Sequence, residues 1–180
     1  MVLLLGVGGL RWGEAAALRV GDVNFRRSRI ELHRNAVTLG RRTMVGTLKS
    51  GKNRTVVLPA FVTDALAATC QGKGRDELIW PSAAGGYLAP PSSTESWLSG
   101  AVALPEDRPG VPAVTAHALR HTAASLAISA GANVKVVQRM LGHSSAAMTL
   151  DVYADLFDDD LTGVADRLDE TVGKMSAQGS

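Results

Sequence analysis

Thr115-Ala116-His117-Ala118-Leu119-Arg120-His121-Thr122-Ala123-Ala124-Ser125 places an arginine and two histidines in an apolar run of helical character. The run predicts a helix over about 117–130 stopped by Gly131, followed by helices over about 133–141, stopped by Gly142, and about 145–155. His117 and His121 have the i, i+4 spacing of a zinc protease helix. Ala118 stands where that chemistry needs a glutamate, and no third ligand lies nearby, so no metal is expected.

Downstream, Thr149-Leu150-Asp151-Val152-Tyr153-Ala154-Asp155 carries a tyrosine preceded in the chain by Arg11, Lys49, His117, Arg120 and His143. A phenol with an ordinary pKa of about 10 is a poor nucleophile at neutral pH. It attacks a phosphodiester only beside a proton acceptor and strong cationic stabilisation. Read alone, Tyr153 is a core residue with Val152 and Leu156 as helical neighbours. In that company it reads as a nucleophile.

The chain has 180 residues, 46% hydrophobic and 20% charged, the composition of one ordinary domain around a single core. One cysteine, Cys70, excludes an internal disulfide framework and reads as a buried small hydrophobe in a reducing, cytoplasmic setting. The apolar opening has no basic residue before it and is broken by Arg11 and Glu14. It is therefore not a signal peptide, and it is too short to span a membrane. Gly6-Val7-Gly8-Gly9 lacks both the preceding strand and the last glycine of a dinucleotide loop and reads as a helix break.

Charge is uneven although the net value is +2. Arg26, Arg27, Arg29, Arg34, Arg41, Arg42, Lys49, Lys52 and Arg54 are opposed in their segment only by Glu31, a field suited to a phosphate backbone. A solvated hairpin face is the plainer reading of such a run. The tail is acidic and is expected to point away from nucleic acid. Helix is expected in the first twenty residues with a break at Gly8-Gly9, extended chain over 23–35 and 43–58, a turn at 49–53, and a helix from Pro59 to about Cys70. One short helix is expected near 93–102. His33, alternating with apolar residues in a strand, stays outside the site.

Four blocks resemble the tyrosine recombinase, or phage integrase, family. Gly9-Leu10-Arg11-Trp12-Gly13-Glu14 through Arg19, with Asp22 beyond, looks like its first arginine box; Leu48-Lys49-Ser50-Gly51-Lys52-Asn53-Arg54 through Pro59 is similar to its lysine hairpin. Thr115 to Ser125 matches its His-x-x-Arg box, and Leu141-Gly142-His143 to Tyr153 completes the order. The resemblance implies a mainly α fold with a small antiparallel β-sheet, an α+β catalytic domain.

The resemblance also implies the chemistry: Tyr153 attacks a DNA phosphate, giving a 3'-phosphotyrosyl link and a free 5'-hydroxyl, and a partner strand reverses the step. The bond energy stays in the covalent intermediate, so no cofactor is expected. Two rigid guanidiniums, Arg11 and Arg120, suit the charge that builds on the phosphate oxygens. Singly, Arg11 reads as an ion pair with Glu14, and Arg120 as solvent-facing. Glu14 orients Arg11, and His121 supports by packing. His117 accepts the tyrosine proton or bonds the phosphate; His143 is given a phosphate hydrogen bond, with helix capping as its plainer role. The resemblance puts the general acid on Lys49, with Lys52 its rival; Arg41, Arg42, Lys52 and Arg54 are expected to hold DNA.

Expected partners are double-stranded DNA and further copies of the chain, a tetramer on DNA and a monomer when free, with no membrane. Leu161, Val164, Leu168 and Val172 form a stripe that exchanges between protomers or docks on its own domain. Residues 1–180 are expected to be a single catalytic domain, shortened at its amino-terminal end and lacking the core-binding domain that precedes the arginine box in the family. Relaxation of DNA, as in type IB topoisomerases, and a non-catalytic DNA-binding remnant are the alternatives.

Overall fold

The structure is a computed structural model that describes residues 1–40, 42–46, 48, 53–91 and 114–158, together with 163, 168, 169, 172 and 174. Among the described residues the elements are α1 (Val2–Gly6), α2 (Trp12–Ala16), β1 (Val23–Asn24), β2 (Arg29–Leu32), β3 (Asn35–Leu39), β4 (Arg42–Gly46), β5 (Arg54–Val57), α3 (Ala60–Cys70), α4 (Ala116–Ser129), α5 (Val134–Leu141) and α6 (Ala146–Asp158). This is the expected α+β architecture. The helix expected near 93–102 lies outside the described residues.

The break between α1 and α2 is a glycine requirement. Gly9 sits at φ 67°, and a Cβ on Gly8 would come within 2.7 Å of the Leu4 carbonyl oxygen. The starts of α4, α5 and α6 each have a side-chain acceptor: Thr115 Oγ1 takes Ala118 N–H at 3.0 Å, Asn133 Oδ1 takes Val136 N–H at 3.0 Å, and Ser145 Oγ takes Met148 N–H at 3.2 Å. Gly131 at φ 84° and Gly142 at φ 66° supply the left-handed turns that end α4 and α5.

Among the described residues there are two antiparallel sheets where one was expected. One has the order β1-β2-β5, with Ile30 opposite Val56; the other is the hairpin β3-β4, with Val37 opposite Met44. The sequence reading ends its first extended stretch at residue 35. A separate strand, β3, runs from Asn35 on to Leu39, where Gly40, at φ 60°, begins a two-residue link between the paired Leu39 and Arg42. The strands on either side of residues 49–53 therefore belong to different sheets.

The expected single core is divided. Leu4, Leu5, Leu10, Leu18, Ile30, Leu32, Val56, Leu58, Val62, Leu66, Cys70 and Ile79 form the main cluster, each large aliphatic side chain stabilising by about 2 kcal/mol. Ala124, Val137, Leu141 and Tyr153 form a second cluster among α4, α5 and α6. Helix α4 is the wall between them, since Ala116 and Leu119 pack on the first cluster and Ala124 on the second. Its polar residues 117, 120 and 121 thereby fall at the seam.

Candidate active site

Arg120 lies in that seam, 5% exposed, so the solvent-facing reading of it is corrected. Its Nη1 donates to the Gly9 carbonyl at 2.5 Å and its Nη2 to the Leu141 carbonyl at 2.6 Å, stapling the glycine break before α2 to the end of α5. Burial, reinforced by the nearby Arg11, lowers its pKa to about 10, which leaves it cationic at neutral pH.

Arg11 precedes α2. Its Nη1 donates to Glu14 Oε1 at 3.1 Å and its Nη2 to the Gly142 carbonyl at 3.3 Å, while Arg11 N–H donates to Glu14 Oε2 at 2.8 Å. The expectation that Glu14 holds Arg11 describes half of what Glu14 does. Arg54 Nη1 and Nη2 meet the same carboxylate at 2.6 and 2.7 Å, and Arg54 Nε donates to the Met140 carbonyl at 3.4 Å. Burial pushes the Glu14 pKa up, but the Arg54 bonds and charge, with those of Arg11, more than offset it and hold the group below its ordinary value.

Arg54 was expected on the DNA side; its guanidinium is spent inward instead. Strand alternation puts Arg54 on the face of Val56, and it is the fold that buries this face and leaves Thr55 and Val57 exposed. Arg42 is exposed on β4, as a phosphate contact requires. Lys49, Lys52 and Arg41 lie outside the described residues. Asp22 accepts from Arg34 at 2.6 Å and lies 3.0 Å from His33 Nε2, which keeps His33 in a structural polar cluster.

His143 follows the left-handed Gly142, and its Nδ1 bonds Thr149 Oγ1 at 3.0 Å. Burial, then the charges of Arg120, Arg11 and Arg54, lower its pKa to about 4, so it is neutral at pH 7. Thr149, fully buried on α6, orients this ring; nothing in the sequence reading marked it. Arg11, Gly13, Asn35, His117, Arg120 and His143 line an open cleft of about 600 Å³ between the β3–β4 hairpin and the α4–α6 helices.

Tyr153 is 5% exposed and packed in the second cluster. Its phenol bonds His121 Nδ1 at 2.8 Å, and His121 meets His117 edge-on with ring centroids 4.5 Å apart. Burial raises the Tyr153 pKa, partly countered by Arg120, and burial followed by the charges of His117 and Arg120 lowers that of His121. The histidine in contact with the phenol is thus His121, which the sequence reading treated as a packing residue, while His117 faces the cleft. Among the described residues no group of three or more His, Cys, Asp or Glu side chains is placed to hold a metal ion, and no helix is long and apolar enough to cross a membrane.

A fold of this kind, with arginines and histidines converging on a cleft beside a tyrosine, is that of the tyrosine recombinase catalytic domains. Residues 1–159 match the model of the phage integrase family, and the chain belongs to that family. It is 31% identical over 165 residues to transposase A from transposon Tn554 of Staphylococcus aureus, covering 89% of this chain and 44% of that protein. It is 34% identical over 116 residues to tyrosine recombinase XerC of Agrobacterium fabrum, covering 61% of this chain and 35% of that one. The chain therefore spans less than half the length of these curated relatives.

Among solved structures, the Tn1549 transposon integrase in complex with transposon right end DNA superposes with a TM-score of 0.72 at 22% identity, covering 93% of this chain and 57% of that one. XerA recombinase superposes with a TM-score of 0.62 at 24% identity, covering 91% and 55%. These likenesses establish the fold.

Proposed function

We propose that the chain is the catalytic part of a site-specific DNA recombinase that cleaves and rejoins strands through a 3'-phosphotyrosyl link at Tyr153. The observation that carries the reading is the cleft itself. Arg11, Arg120, His117 and His143 line one opening, and Tyr153 lies behind it on the next helix against His121. The buried Arg120 guanidinium, held by backbone carbonyls, and the partly exposed Arg11 guanidinium, held by a carboxylate and the Gly142 carbonyl, are preorganised, so they meet developing phosphate charge with little rearrangement. Neutral His143 adds a hydrogen bond without adding repulsion between cations.

The partner is double-stranded DNA, approached through the exposed face that includes Arg42, and recombination uses a tetramer of chains on two duplexes. Lys49 supplies the leaving-group proton by its position in the lysine block. The test is incubation with a nicked DNA substrate followed by a denaturing gel. A covalent protein–DNA adduct is expected, its mass reporting the retained 3'-phosphate strand.

A further inference from the structure

A phenol that attacks a phosphodiester loses its proton in the same step, and the acceptor must lie about 2.6–3.2 Å from the oxygen. Tyr153 Oη has His121 Nδ1 at 2.8 Å. His117 lies beyond His121, its ring edge-on to it at 4.5 Å, and it is His117 that lines the cleft with Arg11, Arg120 and His143. Two histidines one helical turn apart thus face two different reacting groups.

We propose that His121 is the catalytic residue that accepts the Tyr153 proton, through Nδ1, leaving His117 to hydrogen-bond the phosphate. This rests on the strand-transfer reaction proposed above. The Oη–H bond breaks with the proton passing to Nδ1, and the phenol oxygen supplies the electron pair of the new O–P bond. The P–O5' bond breaks as that bond forms, and the departing O5' takes a proton from the general acid, assigned to Lys49. Rejoining reverses each transfer, the imidazolium returning its proton to Oη.

For this role the ring must be neutral with Nδ1 bare, the Nε2–H tautomer. Burial favours the neutral ring, and the charged or titratable groups around it discourage a second positive charge: His117 and Arg120 on its own helix, and His143 at the α5–α6 turn, with Tyr153 opposite on α6. The same surroundings make His121 a weaker base and Tyr153 a weaker acid than in water. Complete transfer before attack is therefore uphill, and the proton must move as the O–P bond forms. In that regime a positioned base contributes about 10²–10⁴-fold.

Single-turnover cleavage of nicked DNA, followed against pH, tests the role in the parent chain, His121→Gln and His117→Gln. The parent rate should fall as pH drops through an ionisation below the ordinary histidine value of about 6.5. His121→Gln, which keeps an acceptor atom but takes no proton, should cleave about 10²-fold more slowly and lose that acid limb, whereas His117→Gln should slow yet retain it. Added imidazole should restore cleavage to His121→Gly in proportion to its free-base fraction, which a packing role would not do. Nitrogen NMR of the DNA-free chain should show Nδ1 of His121 moving on Tyr153→Phe. Cleavage by His121→Gln within about 3-fold of the parent with the acid limb intact, or loss of the limb only in His117→Gln, would overturn the assignment, well below the margin a general base supplies. A parent chain that forms no adduct would overturn the proposed reaction and this role with it.

Discussion

Arg54 and Glu14 face each other in a two-pronged ion pair, Nη1 to Oε1 at 2.6 Å and Nη2 to Oε2 at 2.7 Å, where Glu14 is 1% exposed. Because the same carboxylate holds Arg11 and the same guanidinium reaches the Met140 carbonyl, the pair joins β5, α2 and the end of α5 at one point. Geometry at Arg11 and His143 depends on it.

Removing one member strands a buried charge. Arg54→Met should destabilise the chain by about 3 kcal/mol or more in urea unfolding, and Glu14→Met/Arg54→Met together by less than the sum of the single changes. The depressed Glu14 pKa makes its contribution fully present above the ordinary carboxylate value and lost as pH falls through the lower folded value. The wild-type chain should therefore lose stability below about pH 4 more steeply than the double variant.

Gly142 tests the same hub from another side. It combines φ 66° with a position where an added Cβ would lie 2.9 Å from the Arg54 guanidinium, whereas Gly131, at φ 84°, has nothing within 4 Å. Gly131→Ala should cost about 1 kcal/mol of backbone strain, and Gly142→Ala that amount plus the displacement of Arg54. Equal melting temperatures for the two variants would mean that the contact at Gly142 has no energetic consequence.

The helical half was legible in the sequence because capping and stop residues coincide with periodicity: Asn133, Gly131 and Gly142 stand at the ends of elements they terminate. The convergence of Arg11, His117, Arg120 and His143 was legible through ordered blocks rather than through spacing, since Arg11 and Gly142 are 131 residues apart. Two things were hidden. The inward turn of Arg54 required knowing which face of β5 is buried, and the split between His117 and His121 required knowing where α6 crosses α4. Neither is a local property of the chain.

His143 offers a titration with a worked sign. Its pKa of about 4 lies below the ordinary histidine value, so between those values the unfolded chain binds the proton and the folded one does not. Stability contributed by neutral His143 is present above about pH 6.5 and is lost as pH falls toward 4. Proton NMR should place its midpoint near 4 in the free chain and higher with DNA bound, because a phosphate beside the ring favours the cation. A midpoint unmoved by DNA would place the phosphate elsewhere.

DNA affinity should fall steeply with salt, and Arg42→Ala should reduce the slope of log K against log salt by about one unit at most. Arg42 is exposed on the hairpin, and among the described residues no carboxylate holds it as Glu14 holds Arg54. Identical slopes for Arg42→Ala and the parent would remove the hairpin from the DNA-contacting surface.

The most direct measurement of the central claim is adduct formation on nicked DNA by the parent chain and by Tyr153→Phe, resolved on a denaturing gel, with DNA binding measured in parallel. Removing only the phenol oxygen should abolish the covalent product and leave binding within about 2-fold, because affinity comes chiefly from phosphate contacts made elsewhere. An adduct of undiminished yield from Tyr153→Phe would contradict the account and move the nucleophile to another residue, Tyr87 being the other tyrosine in the chain.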